Sequence, residues 1–300
     1  MQTKIAMRKL ILSLSFTWMV IVFGVGFSAL NAFASAPSIT NGIFYLQSTQ
    51  TTEGYWGDVT EVGYNTIVDT CFTADTLKYL GETGASYSLA LQWINSSATT
   101  NNDYLGAKII TLAGAGWDIA TLFNNLILTQ NSDGAWGAED DFESEIKRTA
   151  SALLALQSAN YPDQTIINNA ISYLISNQNT DGGFGFYPST CSGCNDADDS
   201  NIYMTALVSS TLQQFQQTTS IATAVNKATS YLVAHQNTDG GFGISPSTVY
   251  ETALSVISLL QSGQGQALSL QNAINYLLTT QQIDGSWNQD PYSTASPKNT

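Results

Sequence analysis

Beyond residue 36 the chain alternates between apolar runs at helical spacing and short polar breaks that contain glycine. Ile166, Ile167, Ala170, Ile171, Tyr173, Leu174 and Ile175 form one such run, and Ala222, Ala224, Val225, Ala228, Tyr231 and Leu232 form another. A recurrence near 3.6 residues predicts an amphipathic helix for each. Both runs end in the same octapeptide, QNTDGGFG, at 178–185 and 236–243. Its skeleton is Gln, three residues, Gly, one residue, aromatic. That skeleton occurs at Gln50/Gly54/Trp56, Gln130/Gly134/Trp136, Gln178/Gly182/Phe184, Gln236/Gly240/Phe242 and Gln281/Gly285/Trp287. Glycine just past a helical run is a stop signal, because it enters the left-handed conformation without a Cβ clash.

A second helix is expected after each stop, opening on Thr and a small residue: Thr70-Cys71, Thr149-Ala150, Thr205-Ala206, Thr252-Ala253 and Thr294-Ala295. Leu77, Leu156, Leu212 and Leu259 each stand seven residues after the threonine. The repeating unit is therefore a helical hairpin. The long interval between Gly54 and Gly134 hides a degenerate copy, with an outer helix around Ser86 to Ile94 and an inner one around Tyr104 to Gly114. About six hairpins in a ring make an all-α fold, an α/α toroid, with post-motif helices inside and pre-motif helices outside. The last hairpin is incomplete, since its inner helix begins near Tyr292 and meets Pro297. A homodimer is the simplest expected cover for that gap.

Composition narrows the partners. Of 300 residues 43% are hydrophobic, 11% are charged, and the formal net charge is −14. Past residue 9 the cations are only Lys78, Lys108, Lys147, Arg148, Lys227 and Lys298, too few and too scattered to track nucleic-acid phosphates. Lys4, Arg8 and Lys9 precede an uncharged stretch from Leu10 to Leu30, followed by Ala32, Ala34 and Ala36. This layout predicts a signal peptide or N-terminal membrane anchor over 1–36, with the toroid at 37–300 in a secreted, periplasmic or cell-surface location. Membrane contact is expected only through that segment.

The repeated motif with its flanking helices resembles the superfamily of squalene-hopene cyclases, other terpenoid cyclases and protein prenyltransferase β-subunits. It is also similar to the helical domain of the cobalamin carriers transcobalamin and intrinsic factor, notably over YLGAKIITLAGAGWDIATLFNNLILTQNSDGAWG from Tyr104. The resemblance implies that the motif is structural, its Gln and aromatic ring tying one outer helix to the next hairpin. It also implies chemistry for Asp196-Ala-Asp198-Asp199, which matches the Asp-x-Asp-Asp of cyclases that protonate an alkene or epoxide. Asp198 would be the proton donor, with Asp196 and Asp199 as supporting carboxylates. Such an acid needs an apolar cavity to stay protonated and aromatic faces to stabilise carbocations.

Further features of the sequence bear on function. The acids lie in a polar insertion, FYPSTCSGCNDADDSN, and Ser-Asn-Ile-Tyr-Met separates them from Thr205-Ala206. A solvated acidic loop is the preferred reading of that segment. In an exported chain Cys191 and Cys194 are expected to form a disulfide, and Cys71 to be a small buried residue. Neither metal nor cofactor is expected, because the one histidine, His235, lies outside any ligand-spaced cluster. The other acids, Glu139, Asp140, Asp141, Glu143 and Glu145, with Asp58, Glu61, Asp69 and Glu251, all fall between a motif and its inner helix. They are expected to ring one mouth of the toroid, where helix N-termini favour negative charge. On this balance the expected function is a binding or interaction module for an apolar ligand or protein partner. The alternative is a class II terpene cyclase.

Overall fold

The computed structural model describes residues 36–57, 66–188, 199–263 and 268–281, which contain eleven α-helices. The outer helices are α1 (Ala36–Thr49), α3 (Ala85–Ser96), α5 (Ala120–Leu128), α7 (Gln164–Ser176), α9 (Thr219–Ala234) and α11 (Leu268–Thr280). The inner helices are α2 (Thr66–Tyr79), α4 (Asn102–Gly114), α6 (Ile146–Ser158), α8 (Ile202–Leu212) and α10 (Val249–Gln261). Successive inner helices pack side by side, α2 on α4, α4 on α6, α6 on α8 and α8 on α10. The outer helices stand against them, as in the packing of α3 on α2 and α11 on α10. This is the expected α/α toroid, and the degenerate copy appears as α3 and α4. Among the described residues no helix is long and apolar enough to cross a membrane. The predicted export segment lies outside the described residues.

The repeat motif explains the ring. The side-chain amides of Gln50, Gln130, Gln178 and Gln236 each donate twice, to the carbonyl of the motif's own glycine and to a carbonyl early in a later outer helix. For Gln50 the partners are Gly54 at 2.9 Å and Ser86 at 2.8 Å, and for Gln178 they are Gly182 at 2.9 Å and Ala224 at 2.8 Å. Gln130 reaches Ile166 at 3.2 Å and Gln236 reaches Ser269 at 2.7 Å. Gly182 has φ +91° and Gly240 +87°, and a Cβ there would stand 2.8 Å from the Lys227 carbonyl or 2.9 Å from that of Asn272. Both the left-handed backbone and this close approach require glycine. The motif aromatics Trp56, Trp136, Phe184 and Phe242 are buried, and the indoles of Trp56 and Trp136 donate to Leu46 and Leu126 carbonyls at 2.9 and 2.8 Å.

Inner helices begin earlier than the Thr-small pairs suggest. α6, α8 and α10 start three residues before Thr149, Thr205 and Thr252. These threonines are buried inside the first turn, where each hydroxyl accepts the backbone N–H of its motif aromatic. The distances are 3.1 Å for Thr70 and Thr149, 2.9 Å for Thr205 and 2.8 Å for Thr252. A buried amide that would otherwise lack a partner is thereby satisfied. Leu77, Leu156, Leu212 and Leu259 are fully buried. So is Cys71, whose thiol is pushed above its usual range by burial.

Candidate functional site

The threonine fixes a register for the residues around it. Counting back one place gives Asp69, Arg148, Met204 and Glu251, and two places gives Val68, Lys147, Tyr203 and Tyr250. In α4, where Leu105 replaces the threonine, the same places hold Tyr104 and Asp103. All lie in the first turns of inner helices and so at one end of the ring. The dipoles of five roughly parallel N-termini meet there, which favours carboxylates.

Charges and rings interlock across this mouth. Asp103 forms ion pairs with both Arg148 and Lys147, the latter at 3.0 Å, and Arg148 also meets Glu145 at 3.3 Å. Burial raises the Glu145 pKa, against the pull of Lys147, and lowers that of Arg148. Lys147 acts on the Tyr104 phenol, which also senses Asp69, and on the Tyr250 phenol, which also senses Glu251. Phe186, Tyr203 and Tyr250 run ring to ring, with centroids 5.8 and then 5.6 Å apart. Burial raises the pKa of both tyrosines, so each phenol stays neutral. Tyr203 and Leu207 of α8 and Ile110 of α4 are partly buried and touch both large apolar clusters of the fold. The inner face is therefore aromatic and aliphatic below a charged rim.

The acids named from sequence fall in different places. Asp69 and Glu251 stand on the first turns of α2 and α10, and Glu145 caps α6 beside Arg148. Asp140, Asp141 and Glu143 are exposed on the turn before α6, and Asp58 and Glu61 lie outside the described residues. Burial, with no cation to offset it, raises the Asp69 pKa to about 7. Glu251 is instead held by its helix cap, its carboxylate accepting the Thr248 hydroxyl at 2.7 Å.

The insertion rejoins the frame at Ser200. That hydroxyl donates to Asp181 at 2.7 Å and accepts from Asn179 at 3.0 Å, and the Ser200 carbonyl accepts the Tyr231 hydroxyl at 2.9 Å. Ser247 has the equivalent bonds to Asp239, Asn237 and Tyr276. The extra residues therefore leave the start of α8 undisturbed. Asp199, just before Ser200, is exposed and acts on the Tyr231 phenol, whose pKa burial first and nearby carboxylates second push up to about 12. Asp196, Asp198, Cys191 and Cys194 lie outside the described residues, as do Gly285 and Trp287. His235 ends α9, stacked on Tyr231 with centroids 4.0 Å apart. Among the described residues no three His, Cys, Asp or Glu side chains converge as a metal site would require.

Reasoning from sequence did not single out Tyr104, Asp103, Lys147, Arg148, Tyr203 and Tyr250 as site residues. Counting back from each repeat threonine finds Lys147, Arg148, Tyr203 and Tyr250, and only the position of Leu105 in α4, once the helices are aligned, adds Asp103 and Tyr104.

Comparison with known proteins accords with this architecture. The squalene-hopene cyclase C-terminal domain matches residues 197–299. Drimenyl diphosphate synthase of Streptomyces showdoensis is 30% identical over 217 residues, 63% of this chain and 39% of that protein. The chain thus spans well under half of that relative. Two solved structures share the fold at low identity. The type II terpene cyclase MstE from Scytonema, in complex with geranylgeranyl dihydroxybenzoate as substrate, superposes with TM-score 0.62 at 16% identity, covering 87% of this chain and 85% of that one. The geranylgeranyltransferase-I of Candida albicans, complexed with GGPP, gives 0.59 at 15% identity, covering 88% and 92%.

The fold is that of the terpenoid cyclase and protein prenyltransferase toroids, and residues 197–299 match a cyclase domain. The family match and the curated relative are cyclases, which overturns the expectation of a ligand-binding or protein-interaction module.

Proposed function

We propose that this chain is a class II terpene cyclase, which protonates a double bond of a linear isoprenoid and lets the resulting cation close rings. The observation that carries this reading is the 30% identity to drimenyl diphosphate synthase across 63% of the chain. The mouth supports it chemically. A carboxylic acid gives its proton to an alkene carbon, the π pair becomes the new C–H bond, and the adjacent carbon becomes cationic. The next double bond then supplies the pair that closes a ring. Water must be kept out, and the cation needs electron-rich faces nearby. The Phe186, Tyr203 and Tyr250 rings supply such faces on the α8 and α10 side. The acid is assigned to the Asp196–Asp199 segment that leads into α8, with Asp198 as donor and Asp196 and Asp199 in support.

The substrate class follows from the relatives' names: a polyprenyl chain is common to them, while the head group differs. The full chain should be incubated in deuterated water with farnesyl diphosphate, geranylgeranyl diphosphate, squalene and geranylgeranyl dihydroxybenzoate, and the products analysed by mass spectrometry. We expect a cyclised product carrying one solvent deuterium, falling at least about 100-fold in Asp198→Asn, as removal of a general acid does. Absence of cyclised product from all four substrates would overturn the reading.

A further inference from the structure

The seam between the neighbouring inner helices α8 and α10 buries more polar atoms than it satisfies. Ser210 and Gln213 come from the end of α8, and Ser255, Ser258 and Gln261 from the middle and end of α10. Among the described residues no protein atom pairs with the hydroxyls of Ser210, Ser255 and Ser258, the carbonyl oxygen of the Gln213 side chain, or either amide atom of Gln261, and all six atoms are shut off from solvent. Ser255 and Ser258 are fully buried, and Ser210 is 1% exposed. A buried hydroxyl or amide without a partner costs free energy, and native folds keep few of them. Six on one seam call for an occupant that both donates and accepts hydrogen bonds.

The helical register places this seam against the inner face. At about 100° per residue, Ser210 falls on the side of α8 that carries Tyr203 and Leu207, and Gln261 on the side of α10 that carries Tyr250. The Tyr203 and Tyr250 rings meet at 5.6 Å, so both sides border one inner surface. Gln213 and Ser258 lie about a quarter turn round, toward each other, and the Gln213 amide donates to the Ser258 carbonyl at 3.3 Å. The unpaired atoms thus stand two to three turns below the rings, roughly 10–17 Å along the helices. None of the five side chains carries a charge, which sets aside an ion, whereas water matches hydroxyls and amides in both directions. We propose that the seam holds about two water molecules, at about three hydrogen bonds each, and that one of them captures the last cation of the cyclisation, so that the product is a cyclic alcohol.

The electrostatics favour capture at this end of the ring. Gln213 caps the C-terminus of α8, and Gln261 is the last residue of α10. Helix C-termini attract positive charge, as the N-termini at the mouth attract negative charge. The Gln213 and Gln261 carbonyl oxygens accept the hydrogens of the water, while the serine hydroxyls rotate to suit, and an oxygen lone pair remains for the cation. That pair becomes the new C–O bond. The resulting oxonium ion passes one proton to the second water and on to solvent past Gly263, which is exposed just beyond α10. The proton taken up at initiation is thereby returned, and nothing is oxidised or reduced.

The water site can be tested without turnover. In the full chain, Ser210→Ala and Ser258→Ala should each raise the urea-unfolding constant at least about fivefold, because losing one anchor leaves the other buried atoms without their bridge. A hydroxyl that held nothing would be removed at no cost, so an unchanged or lower constant in both variants would overturn the site. The capture step rests on the cyclase reading and is scored separately. On whichever substrate wild type converts, in water labelled with oxygen-18, the main product should be a cyclic alcohol carrying one labelled oxygen. Gln261→Leu and Ser210→Ala should lower the ratio of alcohol to olefin at least about tenfold, with substrate consumption within about threefold of wild type. An olefin as the main wild-type product, or an unchanged ratio in both variants, would overturn capture and leave the cyclase reading intact. Loss of consumption in a folded variant would also overturn it, by moving the seam to initiation. Absence of any cyclised product would remove the cyclase reading and capture together, while the unfolding result would still decide the water site.

Discussion

Asp69 and Glu251 stand at the same place in two copies of one repeat, each directly before the buried threonine of its inner helix. Glu251 is used up locally: Thr248 donates its hydroxyl to the Glu251 carboxylate at 2.7 Å and accepts the Glu251 amide at 3.1 Å. This mutual cap holds the start of α10. Thr66 stands three residues before Asp69, as Thr248 does before Glu251, yet the Asp69 carboxyl group stays unpaired among the described residues. Arg148 at the same place is ion-paired, and Met204 is fully buried. The repeat thus fixes its frame through glutamine, glycine, aromatic ring and threonine, and leaves the neighbouring position free. Chemistry can vary there without disturbing the ring.

That contrast can be broken from the frame side or sharpened from the variable side. The largest effect is expected for Trp136→Ala, which removes a fully buried indole and its bond to the Leu126 carbonyl. Loss of about 3–5 kcal/mol in urea unfolding is expected. Next comes the pH dependence of stability at Asp69. Its folded pKa is raised to about 7 from 3.8, so between those values the folded chain holds a proton that the unfolded chain has released. Stability contributed by this group is therefore present at low pH and lost as pH rises through that window, by about 2–4 kcal/mol. Asp69→Asn should flatten this slope and exceed wild type in stability at pH 8. An unchanged slope in the variant would refute the burial of that carboxyl group.

Thr252→Val should cost about 1–3 kcal/mol, because the Phe242 amide loses its buried acceptor. The smallest effect is expected for Glu251→Gln, about 0.5–1 kcal/mol, since only the charge of an intact cap changes. If Glu251→Gln proved as damaging as Thr252→Val, the distinction between frame and free position would collapse.

The same distinction explains what could be read from the chain. Gln178, Gly182 and Phe184 recur because one amide must reach a carbonyl four residues on and another in a later helix, which tolerates no change in spacing. The ring of hairpins was therefore legible, as was the degenerate copy at α3 and α4. Helix starts were placed late because Thr149, Thr205 and Thr252 look like first residues, although their hydroxyls work inside the first turn. The site was less legible. Asp103 and Arg148 are brought together only by the packing of α4 on α6. Tyr203 and Tyr250 share only their place two residues before Thr205 and Thr252, and the packing of α8 on α10 is what sets their rings together. The function expected from sequence was overturned because the polar insertion was counted against the cyclase, whereas Ser200 shows that it leaves the frame in place.

The glutamine bonds also bear on how the chain acquires its shape as it is made. Gln50 waits for Ser86, 36 residues later, Gln130 for Ile166 at 36, Gln178 for Ala224 at 46 and Gln236 for Ser269 at 33. Each turn is completed only when a later outer helix has formed, so order should spread along the chain in short steps, each hairpin latched by one that emerges after it. Contacts of such limited separation favour rapid growth from a nucleus over a search through distant pairings. A chain interrupted during synthesis would carry finished turns behind it and a single unlatched glutamine at its growing end.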